Sequence, residues 1–458
     1  MNQFPTYSDG DVKVIISSGR HYQLHSNFLR NSSPVLRNLL QDENAAKLSA
    51  KAIRNNAVRF QLTLTTNKRR RDNADIKHVF ALTELDRNGR AIGGSTASMV
   101  ESENGRAIEP NFLAFDRILR AFYNQGFDFG DAQEDHMTDL LNAALETIAA
   151  AEYLKCVHVI SGPIEATLLS TGQSLQRALS LYPPAWLMFA ERIKSRAIFK
   201  QALIHGTGQY NMPVVQNAIA DGSLSDSIIA VLEKKAQAVV NGVAQAQRCM
   251  ASYYPAALMR EKTIGRVDRD NIGRADYGND ILMWIALCVF RHWLSDQLAA
   301  DHTHHAPDMG YQLMSIVNQG GNAYLSRQVL QHQFHARFPM SPKGMACVEH
   351  RLMEIKNNVA QWAAPLMVDD TELDTTRYPV KHYTHIRVDV EDYPWAASEI
   401  AAQAAIAAGG TAPVDDAPEL DEEEEVFLES SDSEMGENAG SDDDDGEDDT
   451  GDEDAMET

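Results

Sequence analysis

Apolar residues recur at every second position from Val12 to Ile16, with Lys13, Ile15 and Ser17 between or beside them. That is the period of a strand that buries one face. Tyr22 and Leu24 alternate again with Gln23 and His25, and Ser18-Gly19 supplies turn residues, so a hairpin is expected over 12–25. The period then changes. Ser26 is placed to cap a short helix holding Phe28 and Leu29. Ser33 is placed to cap a second, with Pro34 at its first position, where a missing N–H costs nothing. Val35, Leu36, Leu39 and Leu40 give that helix an apolar face. Residues 41–57 are polar with helical tendency. Val58, Phe60, Leu62 and Leu64 mark a third strand, ending near Thr66. Val79–Leu85 reads as a further strand before Asp86-Arg87-Asn88-Gly89, where Asn-Gly signals a hairpin return through Ile92. Residues 93–110, rich in Gly, Ser, Glu and Asn, read as a loop.

From Pro163 to Leu366 the period is helical throughout. Helices are expected at 174–181, 185–204, 213–220, 225–250, 279–299, 311–333 and 343–363. Pro183-Pro184 and Gly206-x-Gly208 read as boundaries, and Ser341-Pro342 as a helix start. Ile386, Val388 and Val390 alternate and predict one late strand within 383–390. No internal period of 20–50 residues occurs, which removes repeat arrays from consideration.

Asp11-Val12 at the first strand, Tyr22-x-Leu24-His25-Ser26-x-x-Leu29, and Asn31-Ser32-Ser33-Pro34-Val35-Leu36 together resemble the opening of a BTB/POZ domain. The resemblance resumes at Phe112–Tyr123, Leu140–Ala144 and Ala151–Cys156, and the layout is similar to fungal BTB proteins with a long insert. It implies an α+β fold class over residues 1–162, a small sheet flanked by helices at 26–40, 112–124 and 137–156, with inserts at 41–57 and 67–110. An all-α domain over 163–395 and a disordered acidic tail over 396–458 would follow. It also implies a protein-binding scaffold rather than an enzyme. Such a module would form a homodimer through Val12, Val14 and Ile16 on the first strand and Phe28 and Leu29 on the helix. A second role it implies is substrate adaptor of a cullin-based ubiquitin ligase.

Charge changes the picture at one end only. The chain of 458 residues carries a net charge of −24, yet Asp415 to Thr458 holds 23 Asp and Glu and no Lys or Arg. The preceding 414 residues hold 42 acids against 41 bases. A neutral body offers no general case for nucleic-acid binding, and the tail has the composition of disorder. The longest apolar run, Ile281–Phe290, is half a bilayer span and ends at Arg291, so no membrane partner is expected. Cys156, Cys249, Cys288 and Cys347 lie far apart without a C-x-x-C, which argues for reduced, mostly buried thiols in an intracellular protein.

Candidate chemistry is sparse. Gly206-Thr207-Gly208 opens like a dinucleotide fingerprint but lacks the third glycine and follows a helix, so a helix-ending turn is expected. Asp268-Arg269-Asp270-Asn271-Ile272-Gly273 opens like a calcium loop but has Asn279 where a bidentate Glu belongs. His302, His304 and His305 read as a solvated loop, and His332-x-x-His335 has no accompanying Glu. No catalytic residue and no cofactor is indicated. Lys68, Arg69, Arg70 and Arg71 form a dense basic cluster, read either as a nuclear-import patch or as a solvated loop. With the acidic tail, whose partner would be a basic nuclear protein, the location is expected to be nucleus or cytoplasm. Ser431, Ser441 and Thr450 each have an acid three residues on, which suits acidophilic kinases.

Overall fold

The structure is a computed structural model. It describes residues 2–17, 19–66, 78–92, 110–126, 129, 137–259 and 275–407. Among them six strands form one mixed sheet: β1 (Asn2–Gln3), β2 (Thr6–Tyr7), β3 (Val12–Ser17), β4 (Arg20–Leu24), β5 (Phe60–Thr66) and β6 (His78–Thr83), in the order β1-β2-β4-β3-β5-β6. The expected hairpin is β3–β4, with Val12 opposite Leu24 and Val14 opposite Tyr22. β5 runs parallel to β3, Val12 opposite Phe60. β6 closes antiparallel on β5, and a single bridge joins Leu85 to Ala91 beyond the Asn-Gly turn. The expected one-sided burial is not found. Ile15 and Ser17 are buried along with Val12, Val14 and Ile16, and so are Gln61 and Thr63 on β5. β3 is an inner strand covered on both faces, which one strand's alternation cannot reveal.

Two short helices follow, α1 (Ser26–Ser32) and α2 (Pro34–Leu39). Ser33 caps α2 as expected, its Oγ accepting from the Leu36 amide at 3.2 Å while donating to the Leu154 carbonyl at 2.6 Å. Ser26 does not cap α1. It is the first helical residue, and the Asp11 carboxylate accepts from both its amide and its hydroxyl at 2.7 Å. Within the polar insert, α3 (Ala50–Arg54) forms behind a Ser49 cap. α4 (Pro110–Phe122) and α5 (Met137–Tyr153) pack on the sheet, where Phe115 meets Phe80 edge-on at 5.1 Å and the Tyr153 hydroxyl accepts from the Phe80 amide.

The helical region runs α6 (Val157–Ser170), α7 (Gln173–Leu181), α8 (Pro183–Ile193), α9 (Arg196–Gly208), α10 (Pro213–Ala220), α11 (Asp226–Ser252), α12 (Ala256–Met259), α13 (Ala275–Ala299), α14 (Tyr311–Gln319), α15 (Arg327–Leu330), α16 (Pro342–Ala363) and α17 (Ala396–Ala407). The helix expected over 185–204 is two: Lys194 turns left-handed at φ 55° and Ser195 caps α9. The one expected over 311–333 breaks at Gly320 and Gly321, both with positive φ, and restarts behind Ser326. Residues 383–390 form no strand: Tyr383 and Ile386 are buried against helices, with no neighbouring strand to pair. Residues 396–407, expected within the tail, form α17, an alanine-rich helix.

The core has two clusters. One runs without a break from Val12 across the expected boundary at 162 to Leu232. The other lies among α11, α13, α14 and α16. α11 belongs to both: Ile228 and Leu232 sit in the first, Val239, Val243 and Met250 in the second. At 27 residues it is about 40 Å long, enough to serve as a common beam. An irregular strap, residues 368–395, crosses α9 and α11. The described residues up to Ala401 make one compact unit. The basic cluster, residues 93–109 of the loop expected over 93–110, and residues 408–458 of the expected tail lie outside the described residues.

Candidate protein-interaction surface

α13 carries its core residues at helical spacing, Met283, Ala286, Leu287, Phe290 and Leu294, all buried. Its opposite stripe is also apolar at first. Ile281 is 38 % exposed, Trp284 45 %, and Cys288 is exposed too. Farther along, the same stripe turns polar through His292 and Asp296. Tyr254 stands edge-on to Trp284 at 5.9 Å, and the Arg291 guanidinium lies 5.8 Å from the Tyr254 ring while donating to the Tyr253 carbonyl. Met259, at the end of α12, is 69 % exposed. Large apolar side chains grouped at the surface mark a contact site more often than chance exposure does.

The frame behind this face is held by one buried cation. Lys356 on α16 donates to the carbonyls of Gly321, Tyr324 and Leu325 at 2.8, 2.7 and 3.1 Å. Its ammonium lies 4.9 Å from the Tyr324 ring, which stacks on Trp293 at 4.2 Å. Burial pulls the Lys356 amine down to about 8, so it is still the charged donor at neutral pH. The positive φ of Gly320, Gly321 and Leu325 folds the loop so that the three carbonyls converge.

A second polar cluster ties the strap to α9. His205 Nδ1 lies 3.0 Å from His382 Nε2, and His205 Nε2 lies 3.0 Å from Thr371 Oγ1, which donates to Gln201. Gly208 ends α9 so close to the Tyr383 carbonyl that an added Cβ would stand 2.1 Å from it. Gly206-x-Gly208, expected as a turn beyond the helix, is instead the last helical turn of α9, and Gly208 makes it a backbone crossing. At the far end of the strap, buried Asp392 pairs with Lys234 and Lys235. Burial alone would raise its carboxyl; Lys235, the Asp389 amide and Lys234 outweigh that and hold it low.

The residues singled out from the sequence scatter. Val12, Val14, Ile16 and Leu29 are wholly buried in the chain's own core, and of the five proposed for a dimer face only Phe28 stands out, 50 % exposed. Phe28 packs on Tyr123 at 5.0 Å, which stacks on Tyr7. His304 Nδ1 lies 3.0 Å from the Gln247 side chain, with its pKa lowered by burial and then by His305 and Arg248. His335 is buried. Among the described residues no group of three or more His, Cys, Asp or Glu is placed to hold a metal ion, and no helix is long and apolar enough to cross a membrane. Only Cys156 of the four cysteines is buried. Lys68, Arg69, Arg70, Arg71, the Asp268–Gly273 loop, Ser431, Ser441 and Thr450 lie outside the described residues. Ile281, Trp284 and Cys288, at spacings of three and four, are the sequence signal of this second apolar face.

The family model of the fungal FF domain matches residues 255–365, the segment that carries α13, the Lys356 clamp and α16. No curated protein and no solved structure matches the chain. The match is to a family other than BTB/POZ, and no BTB/POZ match accompanies it, which overturns the resemblance at the N-terminus. A hairpin followed by two short helices is specified by local turn and helix chemistry, which unrelated α+β folds share. FF domains are protein-interaction modules, so the matched segment points to protein partners.

Proposed function

We propose that this chain is a non-enzymatic protein-interaction protein, and that the outer face of α13 is a contact surface. The observation that carries the reading is Trp284, half exposed between Ile281 and Cys288 inside the matched segment. Burying such an aromatic side chain against a partner contributes on the order of 2 kcal/mol. A ridge with this spacing fits the groove of a second helix, so the partner is an amphipathic helical segment. The test is affinity capture with the full chain, wild type against Trp284→Asp, with Phe28→Ser as an exposed aromatic control elsewhere. Trp284→Asp is expected to lose a defined set of partners that Phe28→Ser retains, with the thermal melt unchanged. Identical partner sets for wild type and Trp284→Asp would sink the reading. Self-association through Val12, Val14, Ile16, Phe28 and Leu29, and the cullin-adaptor role, rested on the BTB/POZ resemblance and are withdrawn with it.

Lys68 to Arg71 remain proposed as a nuclear-import patch, on the strength of four consecutive cations. Alanine at all four positions is expected to move a fluorescent fusion from nucleus to cytoplasm. A wild-type fusion already confined to the cytoplasm rules the patch out.

A further inference from the structure

Ser-Pro occurs twice in the chain, at Ser33-Pro34 and Ser341-Pro342, and each serine caps the helix that its proline begins. The two are alike in sequence and opposite in setting. Ser33 is wholly buried, and its hydroxyl donates to the Leu154 carbonyl at 2.6 Å. Ser341 is exposed, as are Pro342, Lys343 and the residues from Ala336 to Pro339. Its Oγ accepts from the Gly344 amide at 3.2 Å, and among the described residues nothing takes its hydroxyl proton. Its backbone is extended, φ −61° and ψ 153°, the conformation that a residue before proline favours. An enzyme that reads an extended Ser-Pro step finds one such step accessible and the other closed.

The surroundings of Ser341 suit a dianion. α16 runs from Pro342 to Ala363, and its dipole favours negative charge at this end. Pro342 has no N–H, so the first amides here belong to Lys343 and Gly344. Amides of a first turn have no carbonyl inside the helix to take them. With no side chain, Gly344 leaves its amide uncovered; a Cβ there would already touch Ser341 Oγ at 3.5 Å. No acid lies in the first turn of α16, and Glu349, farther along, pairs with Arg327 at 3.5 Å. Lys343 stands exposed next to Pro342 as a counter-charge.

We propose that Ser341 is a phosphorylation site for a proline-directed protein kinase, and that the phosphate tightens the start of α16. In the step, a bond forms between Ser341 Oγ and the γ-phosphorus of the kinase's ATP. The bond from that phosphorus to the β–γ bridging oxygen breaks, ADP leaves, and the hydroxyl proton passes to the kinase's carboxylate base. The phosphoryl oxygens then accept from the Lys343 and Gly344 amides and pair with the Lys343 ammonium. The proposal does not depend on the α13 reading, since no residue of that face enters it. The experiment treats the full chain with a purified proline-directed kinase and ATP, and locates the phosphate by mass spectrometry of the digested chain. Phosphate is expected on Ser341 and not on Ser33. Synthetic peptides of residues 28–38 and 336–346 should both be modified, because burial and not sequence closes Ser33. Ser341→Asn keeps a capping side chain, loses the hydroxyl and should abolish incorporation. Pro342→Ala keeps the hydroxyl and should slow incorporation about tenfold or more, since an apolar contact in the kinase pocket is lost. In hydrogen exchange, the amides of residues 343–346 should slow about two- to fivefold on modification. An unmodified Ser341 in the folded chain, beside a modified 336–346 peptide, would overturn the site. So would a 336–346 peptide that the kinase ignores, or incorporation that survives Ser341→Asn or is indifferent to Pro342→Ala. Unchanged or faster exchange at 343–346 would overturn the tightening.

Discussion

Two buried imidazoles facing each other decide how this chain answers to acid. Burial, then the charge of His382, holds His205 down to about 3, and burial holds His382 at about 4. In the unfolded chain both titrate near 6.5, so only the unfolded state takes up protons as pH falls below that value. The stability that depends on the neutral pair is full above about pH 6.5 and drops as pH falls toward the folded values, by up to about 1.4 kcal/mol per pH unit for each imidazole. Urea midpoints measured from pH 7.5 to 5 should fall, and fall less steeply in His382→Gln. A flat profile would contradict the pairing. Lys356 gives a second test. Lys356→Met leaves three converging carbonyls without their donor and should cost about 2–3 kcal/mol in a thermal melt. Neither cluster was legible in the sequence: His382 is 177 residues from His205, and Lys356 is 31 from the nearest carbonyl it holds.

Helix ends were the legible part at the next scale, and helix breaks were not. Ser33 and Ser341 cap where their sequences placed them, and Ser195, Ser225 and Ser326 cap by the same chemistry. The breaks at Lys194 and Gly320 were hidden because an apolar helical period continues across each. A single residue turning left-handed reorients the axis without disturbing that period. Lys194 is exposed and strained at φ 55°, so Lys194→Gly should raise stability by about 1 kcal/mol. A higher denaturation midpoint checks it; a lower one would mean that the lysine side chain holds the turn. The alternation at 383–390 shows the converse error. A strand needs a ladder partner; here Ile386 and Val388 pack against the core while Val390 stands 54 % exposed.

The whole molecule depends on α11, which joins the two core clusters, and on the strap, which is pinned to α9 at one end and to α11 at the other. Asp392 is the second pin. Asp392→Ala leaves the mostly buried Lys235 without its strongest counter-charge and should cost about 2 kcal/mol. Hydrogen exchange should show amides 385–395 losing protection while those of α11 keep theirs. Loss of protection throughout α11 would mean that the strap and the beam unfold together. The same scale explains the failure of the BTB/POZ resemblance. Local pattern over the first 40 residues described a hairpin and two short helices correctly, and the cap of the second but not of the first; those elements carry no family identity by themselves. The matched FF segment showed itself in the sequence only as helices.

The sequence by itself determined four of the six strands, most of the helices, the caps at Ser33 and Ser341, and the confinement of excess acid to Asp415–Thr458. These follow from period, propensity and charge, which act over a few residues. Tertiary structure alone decided that both faces of β3 are covered and that Leu29 belongs to the core while Trp284 does not. It also decided that Arg177 and Arg377 meet on the Tyr378 ring. Burial and convergence depend on which distant segments meet, and chain-local patterning carries no record of that.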